Sequence, residues 1–280
     1  MPYVNKSKEE TRKFIEKYGA LPFAMAPELS VKESMIETAA RTNDVAIITI
    51  GRISGEFADR KATKGDFLLS DAEQDLIENT AKCFHRLNKK VIVVLNIGGV
   101  IETASWKNKV DAILLSWQPG QEAGNSVVEI LSGKENPSGK LPMTIERSFK
   151  DSPAWGYLPQ GASLYNELKN EHLINVYDVN YKEDVLVGYR WYDTKNIEPL
   201  YPFGYGLSYT TFTLIKPRLS SKKMNDQMIR CSVTITNTGS QKGAEVIQLY
   251  LKENQPSVSR PENVLPVTFL SPYILNKALQ

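Results

Sequence analysis

Three short runs of apolar residues in the first half of the chain lack the alternation of a half-exposed strand. They are VAIITI (45–50), VIVVLNI (91–97) and AILLSW (112–117). Uninterrupted runs of this length are typical of strands covered on both faces, as in a parallel sheet between helices. The later stretch GKLPMTI (139–145) predicts one more strand.

Segments with helical spacing of apolar residues separate these runs. SVKESMIETAARTN begins with Ser30 and has Glu33 three residues later, which predicts a helix with a capping box. SDAEQDLIENTAKCFHRLNKK repeats this arrangement with Ser70 and Glu73. GQEAGNSVVEILSGK predicts a third helix, which ends at Gly133.

The alternation of helices and strands predicts the fold class. It favours an α/β fold, a layered α/β sandwich domain with a mainly parallel sheet over residues 30–150. Residues 1–29 precede this domain as an N-terminal extension. Residues 151–211 are rich in aromatic residues, Pro and Gly, show no regular periodicity, and are interpreted as a long linker.

The last part of the chain, residues 212–280, has the two-residue period of strands. In MIRCSVTITNTG the apolar residues alternate with polar ones, and AEVIQLYLKE follows after a short turn. This pattern predicts a partial β-sandwich whose strands form a β-meander, with about three strands instead of the usual seven. The alternating apolar residues are Ile229, Cys231, Val233 and Ile235.

Composition and charge exclude several classes of protein. The chain has 280 residues, of which 41% are apolar and 24% charged, and a net charge of +2. This balance does not favour a nucleic acid or a membrane surface as a partner. Two cysteines and two histidines predict neither a disulfide framework nor a metal site. No signal peptide or membrane-spanning stretch is evident, so as written the chain is expected to be soluble and cytoplasmic.

The most charged loop of the chain is the predicted position of a functional site. Ligands of open parallel sheets bind outside the carboxyl ends of the strands, and GRISGEFADRKATKGDF leaves such an end. Glu56 in this loop is either a solvated surface residue or a working acid. Arg52, Asp59 and Arg60 are interpreted as an ion-pair set that orders the loop.

The tryptophans and glycines of the sequence are interpreted as structural residues and not as parts of a binding site. The four tryptophans, at positions 106, 117, 155 and 191, are interpreted as packing residues rather than sugar platforms. No G-x-G-x-x-G or Walker sequence follows a strand, so we expect no nucleotide cofactor, and no metal or other cofactor is predicted.

Several long stretches together resemble glycoside hydrolase family three, the family of β-glucosidases and their relatives. The stretches are GRISGEFADRKATKGDFLLSDAEQDLI, KKVIVVLNIGGVIETASWKNKVDAILLSWQPGQEAGNSVVEILSGKENPSGKLPMTI and VGYRWYDTKNIEPLYPFGYGLSYTTF. They resemble the second domain of that family and the linker after it. VTITNTGSQKGAEVIQLYL resembles the start of the fibronectin type III-like domain that follows in many members.

The resemblance implies a retaining mechanism on a β-linked glucoside or oligosaccharide. In that family the nucleophile is an Asp of a (β/α)₈ barrel domain. In members that have this SGE…DR loop, the general acid/base is the Glu of the loop. Matched residue by residue, that Glu is Glu56, with Asp59 and Arg60 as its motif neighbours, and Arg52 lies in the same loop. The resemblance also implies a barrel domain as partner, supplied in trans or by a neighbouring gene.

The chain also departs from the family pattern. No barrel precedes the α/β domain, since about 250 residues are needed for one, and VTFLSPYILNKALQ is unlike the family. We therefore expect a split, truncated or permuted part of a β-glycosidase, inactive without a barrel. If a full-length parent has a signal, the expected location is periplasmic or extracellular. A non-catalytic remnant that binds sugar or a partner is the alternative, and a nucleotide-binding module is a third.

Overall fold

The computed structural model describes residues 2–18, 28–53, 60–156, 181–221, 229–254 and 257–270. These residues group into two compact units, Met1–Ala123 with Glu146–Lys182 and Gly124–Ile145 with Glu183–Gln280. The predicted domain boundaries at residues 30, 150 and 211 stay a prediction.

A parallel sheet forms the centre of the first unit. Its strands are β1 (Val45–Arg52), β2 (Lys90–Ile97) and β3 (Ala112–Leu115), in the spatial order β1-β2-β3. All eight residues of β1 pair in register with β2. The predicted α/β fold class with a parallel sheet is therefore confirmed.

Two helices pack with this sheet into one apolar core. They are α2 (Glu33–Thr42) and α3 (Asp71–His85), and α3 connects β1 to β2. Helix and sheet residues share one buried cluster that includes Ile77, Phe84, Val93 and Leu95. This burial positions the carboxyl ends of β1 and β2, because it fixes both strands against α3.

The beginnings of the two helices test the capping predictions. Ser70 and Glu73 form the predicted capping box, in which the Ser70 side chain accepts from the Glu73 backbone N–H and Glu73 accepts from the Ser70 backbone N–H. The prediction at Ser30 is wrong, because α2 begins three residues later and follows Lys32. A capping box needs extended backbone at the cap residue and helix immediately after it, which the sequence pattern alone does not guarantee.

The N-terminal residues form a further helix, α1 (Pro2–Tyr18), that was not predicted. Its surface has ion pairs one turn apart, between Arg12 and Glu16 and between Lys13 and Glu9. Such exposed pairs one turn apart add little to the stability of a helix, because solvent screens them.

In the second unit, α4 (Ala123–Leu131) is the predicted third helix, followed by Gly133 with a φ of +74°. The strand predicted at 139–145 is wrong, because the described residues there form only an isolated bridge between Ile145 and Tyr201. Pro142 explains this, since it lacks the N–H that a strand interior requires. A short helix, α5 (Tyr189–Lys195), interrupts the region predicted to be irregular.

The C-terminal strands are antiparallel, as a sandwich requires. They are β4 (Phe212–Leu219), β5 (Cys231–Asn237), β6 (Val246–Leu251) and β7 (Val264–Leu270). β4 pairs with β5 and β6 pairs with β7, in two separate sheets. The predicted meander is wrong at its centre, because β5 and β6 lie in different sheets, and the described residues contain four strands rather than about three.

Candidate functional site

The carboxyl ends of the three parallel strands lie at one edge of the sheet, where ligands of open α/β sheets bind. The segment after β1 returns to the sheet at α3, and its residues 54–59 lie outside the described residues. Glu56 and Asp59 therefore lie outside them as well, while Arg52 and Arg60 are described on either side.

Arg52, the last residue of β1, forms a buried ion pair with Glu73 of α3. Two guanidinium nitrogens of Arg52 donate to the two carboxylate oxygens of Glu73, over 2.6 and 2.7 Å. The Arg52 side chain is only 4% exposed. Its Nε also donates to the backbone carbonyl of Asp66 over 2.9 Å. Arg52 therefore joins the strand end, the start of α3 and the far part of the loop.

Opposing effects set the pKa of Glu73. Burial raises the pKa of its carboxyl, but the hydrogen bonds and charge of Arg52 and the hydrogen bonds from Ser70 lower it more. The pKa therefore lies below the ordinary glutamate value, so Glu73 is an anion at neutral pH. A carboxylate held in this way is a structural counterion and not a proton donor.

Arg60 joins the two sides of residues 54–59. Its guanidinium donates to the backbone carbonyl of Ile53 over 2.6 Å and to the carboxylate of Asp66 over 2.8 Å. The other carboxylate oxygen of Asp66 accepts from the backbone N–H of Lys61 over 2.8 Å. We call these contacts of Arg60 and Asp66 the loop clamp. They hold the residues at the two ends of 54–59 in fixed positions.

Two members of the ion-pair set predicted for the loop, Arg52 and Arg60, are among the described residues, and the third, Asp59, lies outside them. Arg52 and Arg60 are both paired, but their described partners are Glu73 and Asp66, which sequence reasoning did not assign to them. Glu73 was singled out only as a capping residue. Asp66 had no sequence signal beyond its place in a charged loop.

Two other segments reach the same edge of the sheet. The backbone N–H of Glu102, after β2, donates to the carbonyl of Phe67 over 2.8 Å, which joins the segments that follow β1 and β2. Trp117, after β3, packs against the core and has a φ of +53°. A left-handed conformation is rare for a bulky residue and occurs often near functional sites.

The packing interpretation of the tryptophans is confirmed at Trp106. It is buried in the core and its indole N–H donates to the carbonyl of Glu102 over 2.7 Å. Trp155 contacts the ring of Phe149 edge-on at a centroid distance of 5.5 Å, and Phe149 contacts Phe67.

One group of potential metal ligands occurs among the described residues, away from the loop clamp, on α2 and α3. Ligand atoms of Glu33, Glu37 and Cys83 lie within 4.8 Å of one another. Both carboxylates already pair with cations, Glu33 with Lys82 and Glu37 with Arg86, so the group has the character of a helix-to-helix ion-pair set. Within the described ranges, no helix has the length and apolar character needed to cross a membrane.

We expect the loop clamp to restrict hydrogen exchange in the charged loop. Replacing Arg60 with alanine removes a charge-assisted hydrogen bond on each side of 54–59, and such bonds contribute about 1.5–3 kcal/mol each. Amide exchange of a peptide covering residues 51–61, followed by mass spectrometry, should therefore become about ten-fold faster or more.

Lys64→Ala is the matched control, since Lys64 lies in the same loop and forms an exposed ion pair with Asp71. It should leave the exchange of this peptide nearly unchanged. Equal exchange in the wild type and Arg60→Ala would contradict a role of the clamp in ordering the loop.

The comparisons define the class of protein to which this architecture belongs. The sequence matches Glycosyl hydrolase family 3 C-terminal domain over residues 4–209. The chain therefore belongs to glycosyl hydrolase family 3, in agreement with the resemblance seen in its motifs.

Named relatives are β-glucosidases. A β-glucosidase of Rhizobium radiobacter is 38% identical over 226 residues, which cover 81% of this chain and 26% of that protein. A β-glucosidase of Bacteroides ovatus is 38% identical over 238 residues, covering 83% of this chain and 29% of that protein.

The structure of β-glucosidase 3B from Thermotoga neapolitana, solved in complex with α-D-glucose, is similar in fold. It is 40% identical with a TM-score of 0.84, and the match covers 99% of this chain and 37% of that chain. This chain therefore spans well under half the length of the relatives it matches.

Proposed function

We propose that this chain supplies the general acid/base, Glu56, to a retaining β-glycosidase of the β-glucosidase type. The nucleophile comes from a barrel domain that is not part of these 280 residues. The loop clamp is the observation on which this proposal rests most, because it fixes both sides of the segment that contains Glu56.

Family membership supports the reaction type, and the fold supports the place of the acid. Glu56 follows β1 at the carboxyl edge of the parallel sheet, where loops of such sheets bind ligands. Arg52 and Arg60 fix the loop to the sheet and to α3, and Asp59 is assigned to ordering of the loop. A general acid must reach its substrate oxygen within about 3 Å, so a loop with fixed ends serves this chemistry better than a free one.

In the proposed mechanism Glu56 acts twice. In the first step its carboxylic acid donates a proton to the glycosidic oxygen, while a carboxylate of the barrel attacks the anomeric carbon and the bond to the leaving group breaks. In the second step the Glu56 carboxylate takes a proton from water. The water oxygen attacks the anomeric carbon and releases the barrel carboxylate.

The described carboxylates near the edge are poorly suited to be the nucleophile. Retaining enzymes need a second carboxyl about 5–5.5 Å from the first, free to attack. Both oxygens of Glu73 accept from Arg52, and both oxygens of Asp66 accept from Arg60 or the Lys61 N–H. This supports the assignment of the nucleophile to another domain.

The purified chain alone should therefore hydrolyse no aryl β-glucoside above background. Release of nitrophenol from nitrophenyl β-glucoside should equal that of the Glu56→Gln variant, because the glycosyl-enzyme intermediate cannot form. Turnover that survives repurification and disappears in Glu56→Gln would contradict the absence of a nucleophile from this chain.

A further inference from the structure

Phe67 anchors the far side of the charged loop in the interior of the first unit. It directly follows Asp66 of the loop clamp and is only 3% exposed. Its backbone N–H donates to the carbonyl of Lys61 over 3.2 Å, and its carbonyl accepts from the N–H of Glu102 over 2.8 Å. Because Asp66 is its neighbour in the chain, the position of the loop clamp depends on how firmly Phe67 is held.

An aromatic ring from a distant part of the chain contacts Phe67. The ring centroids of Phe67 and Phe149 lie 4.8 Å apart, and the ring planes are tilted by 59°. Trp155 in turn contacts Phe149 edge-on, with centroids 5.5 Å apart and an angle of 86°. Tilted and edge-to-face pairs at these distances are favourable arrangements of aromatic rings. Three rings in a row therefore support the residue next to Asp66.

Phe149 is held in place by a turn of its own. It begins a single 3₁₀ turn, Phe149–Asp151, which has a capping box. The Ser148 backbone N–H donates to the carboxylate of Asp151 over 3.0 Å, and the Ser148 hydroxyl accepts from the N–H of Lys150 over 3.4 Å. A ring on a turn that is already ordered loses little further freedom when it packs against Phe67, so the contact is effective in fixing that residue.

We propose that Phe149 is a positioning residue for the proposed acid/base, and that it acts through Phe67 and the loop clamp. This inference rests on the proposed function, because it takes the charged loop to contain the general acid/base. The Asp66 carboxylate, next to Phe67, accepts from Arg60, whose guanidinium also donates to the carbonyl of Ile53. A small displacement of a general acid impairs proton donation strongly, so loosening this series of contacts should affect catalysis by the loop.

Hydrogen exchange of the isolated chain tests the coupling without any catalysis. Phe149→Leu should accelerate amide exchange of the peptide covering residues 51–61 about two- to ten-fold, because the favourable energy of an aromatic pair is lost. Phe149→Tyr keeps the ring and should exchange like the wild type. Phe203→Leu is the matched control, since Phe203 forms a similar ring pair with Tyr189, at 5.1 Å, in the other unit. It should leave the exchange of this peptide unchanged.

Thermal unfolding of each variant shows whether it folds. If Phe149→Leu does not fold, Trp155→Leu takes its place, because Trp155 is 36% exposed and its replacement removes the neighbouring ring of the row. It should accelerate the same exchange. Equal exchange in the wild type and in the folded variant would overturn the proposal, and so would an equal acceleration in Phe203→Leu.

Catalysis separates positioning of the acid from a general loss of structure. In a chimera in which this chain replaces the matched region of the Thermotoga neapolitana β-glucosidase 3B, Phe149→Leu should reduce cellobiose hydrolysis about two- to ten-fold, since cellobiose needs a well-placed acid. Formation of the glycosyl-enzyme from a dinitrophenyl glucoside, whose leaving group needs no proton, should change by less than about two-fold. An equal loss on both substrates would overturn the positioning role. If Glu56→Ala left the chimera fully active, the proposed function would fail, whereas the exchange experiment would still decide the coupling of Phe149 to the loop.

Discussion

Replacing Glu56 with alanine should reduce cellobiose hydrolysis by about 10²- to 10⁴-fold in an active chimera. In this chimera, the chain replaces the matched region of the Thermotoga neapolitana β-glucosidase 3B. Cellobiose has a poor leaving group that must be protonated as the bond breaks. A dinitrophenyl glucoside needs no such proton, so formation of its glycosyl-enzyme should be spared.

The same variant should then be slow in the second step, because in the proposed mechanism Glu56 also activates water. Stopped-flow measurements with the dinitrophenyl substrate should show a burst followed by slow turnover. Azide needs no general base, so it should accelerate the slow phase and give a β-glucosyl azide.

Asp59→Asn serves as the neighbouring control and should show neither burst nor azide rescue if Asp59 only orders the loop. An equal loss on both substrates, without burst or rescue, would make Glu56 a binding residue. The acid/base would then have to be sought on another loop or on the barrel.

Replacing Glu73 with alanine should lower the free energy of unfolding by about 3–5 kcal/mol. The variant leaves the Arg52 guanidinium in the core without its counterion, and that side chain is only 4% exposed. It also removes one half of the capping box of α3. Urea unfolding at pH 7, followed by circular dichroism, measures the change.

Glu78→Ala is the matched control, because Glu78 lies on the same helix and pairs with Lys109 at an exposed site. It should cause a much smaller change. The double variant Arg52→Met with Glu73→Leu should recover much of the loss, because it removes both buried charges. Equal losses for Glu73→Ala and Glu78→Ala would contradict the importance of the buried pair.

The stabilising effect of Glu73 should depend on pH in the acid range. Its pKa is lowered in the folded state, so its contribution is present above the unfolded value of about 4.3 and is lost as the pH falls through the folded value. The difference in unfolding free energy between wild type and Glu73→Ala should therefore shrink as the pH falls below about 5. A constant difference down to pH 2 would contradict the lowered pKa.

The sequence alone determined the features that depend on neighbours along the chain. The apolar runs predicted β1 and β2 closely, because continuous apolar residues favour the strands of a parallel sheet. The expected coverage on both faces is wrong at β1, where Val45 and Ile47 are 41% and 50% exposed. Ser70 and Glu73, three residues apart, predicted the start of α3 correctly. Long motifs in their order predicted the family, which the comparison over residues 4–209 confirmed.

Only the tertiary structure decided the contacts between residues that are distant in sequence and that have several possible partners. Arg52 pairs with Glu73 across 21 positions, and no local pattern selects that carboxylate from others nearby. The pairing of β4 with β5 and β6 with β7, instead of a meander, was decided in the same way. The exposure of Val45 and Ile47 on β1 was not predictable either, because an apolar strand has the same sequence pattern whether or not another element covers it. The physical reason is that helix caps and apolar periods are local, whereas ion pairs, strand partners and burial depend on which distant surfaces meet.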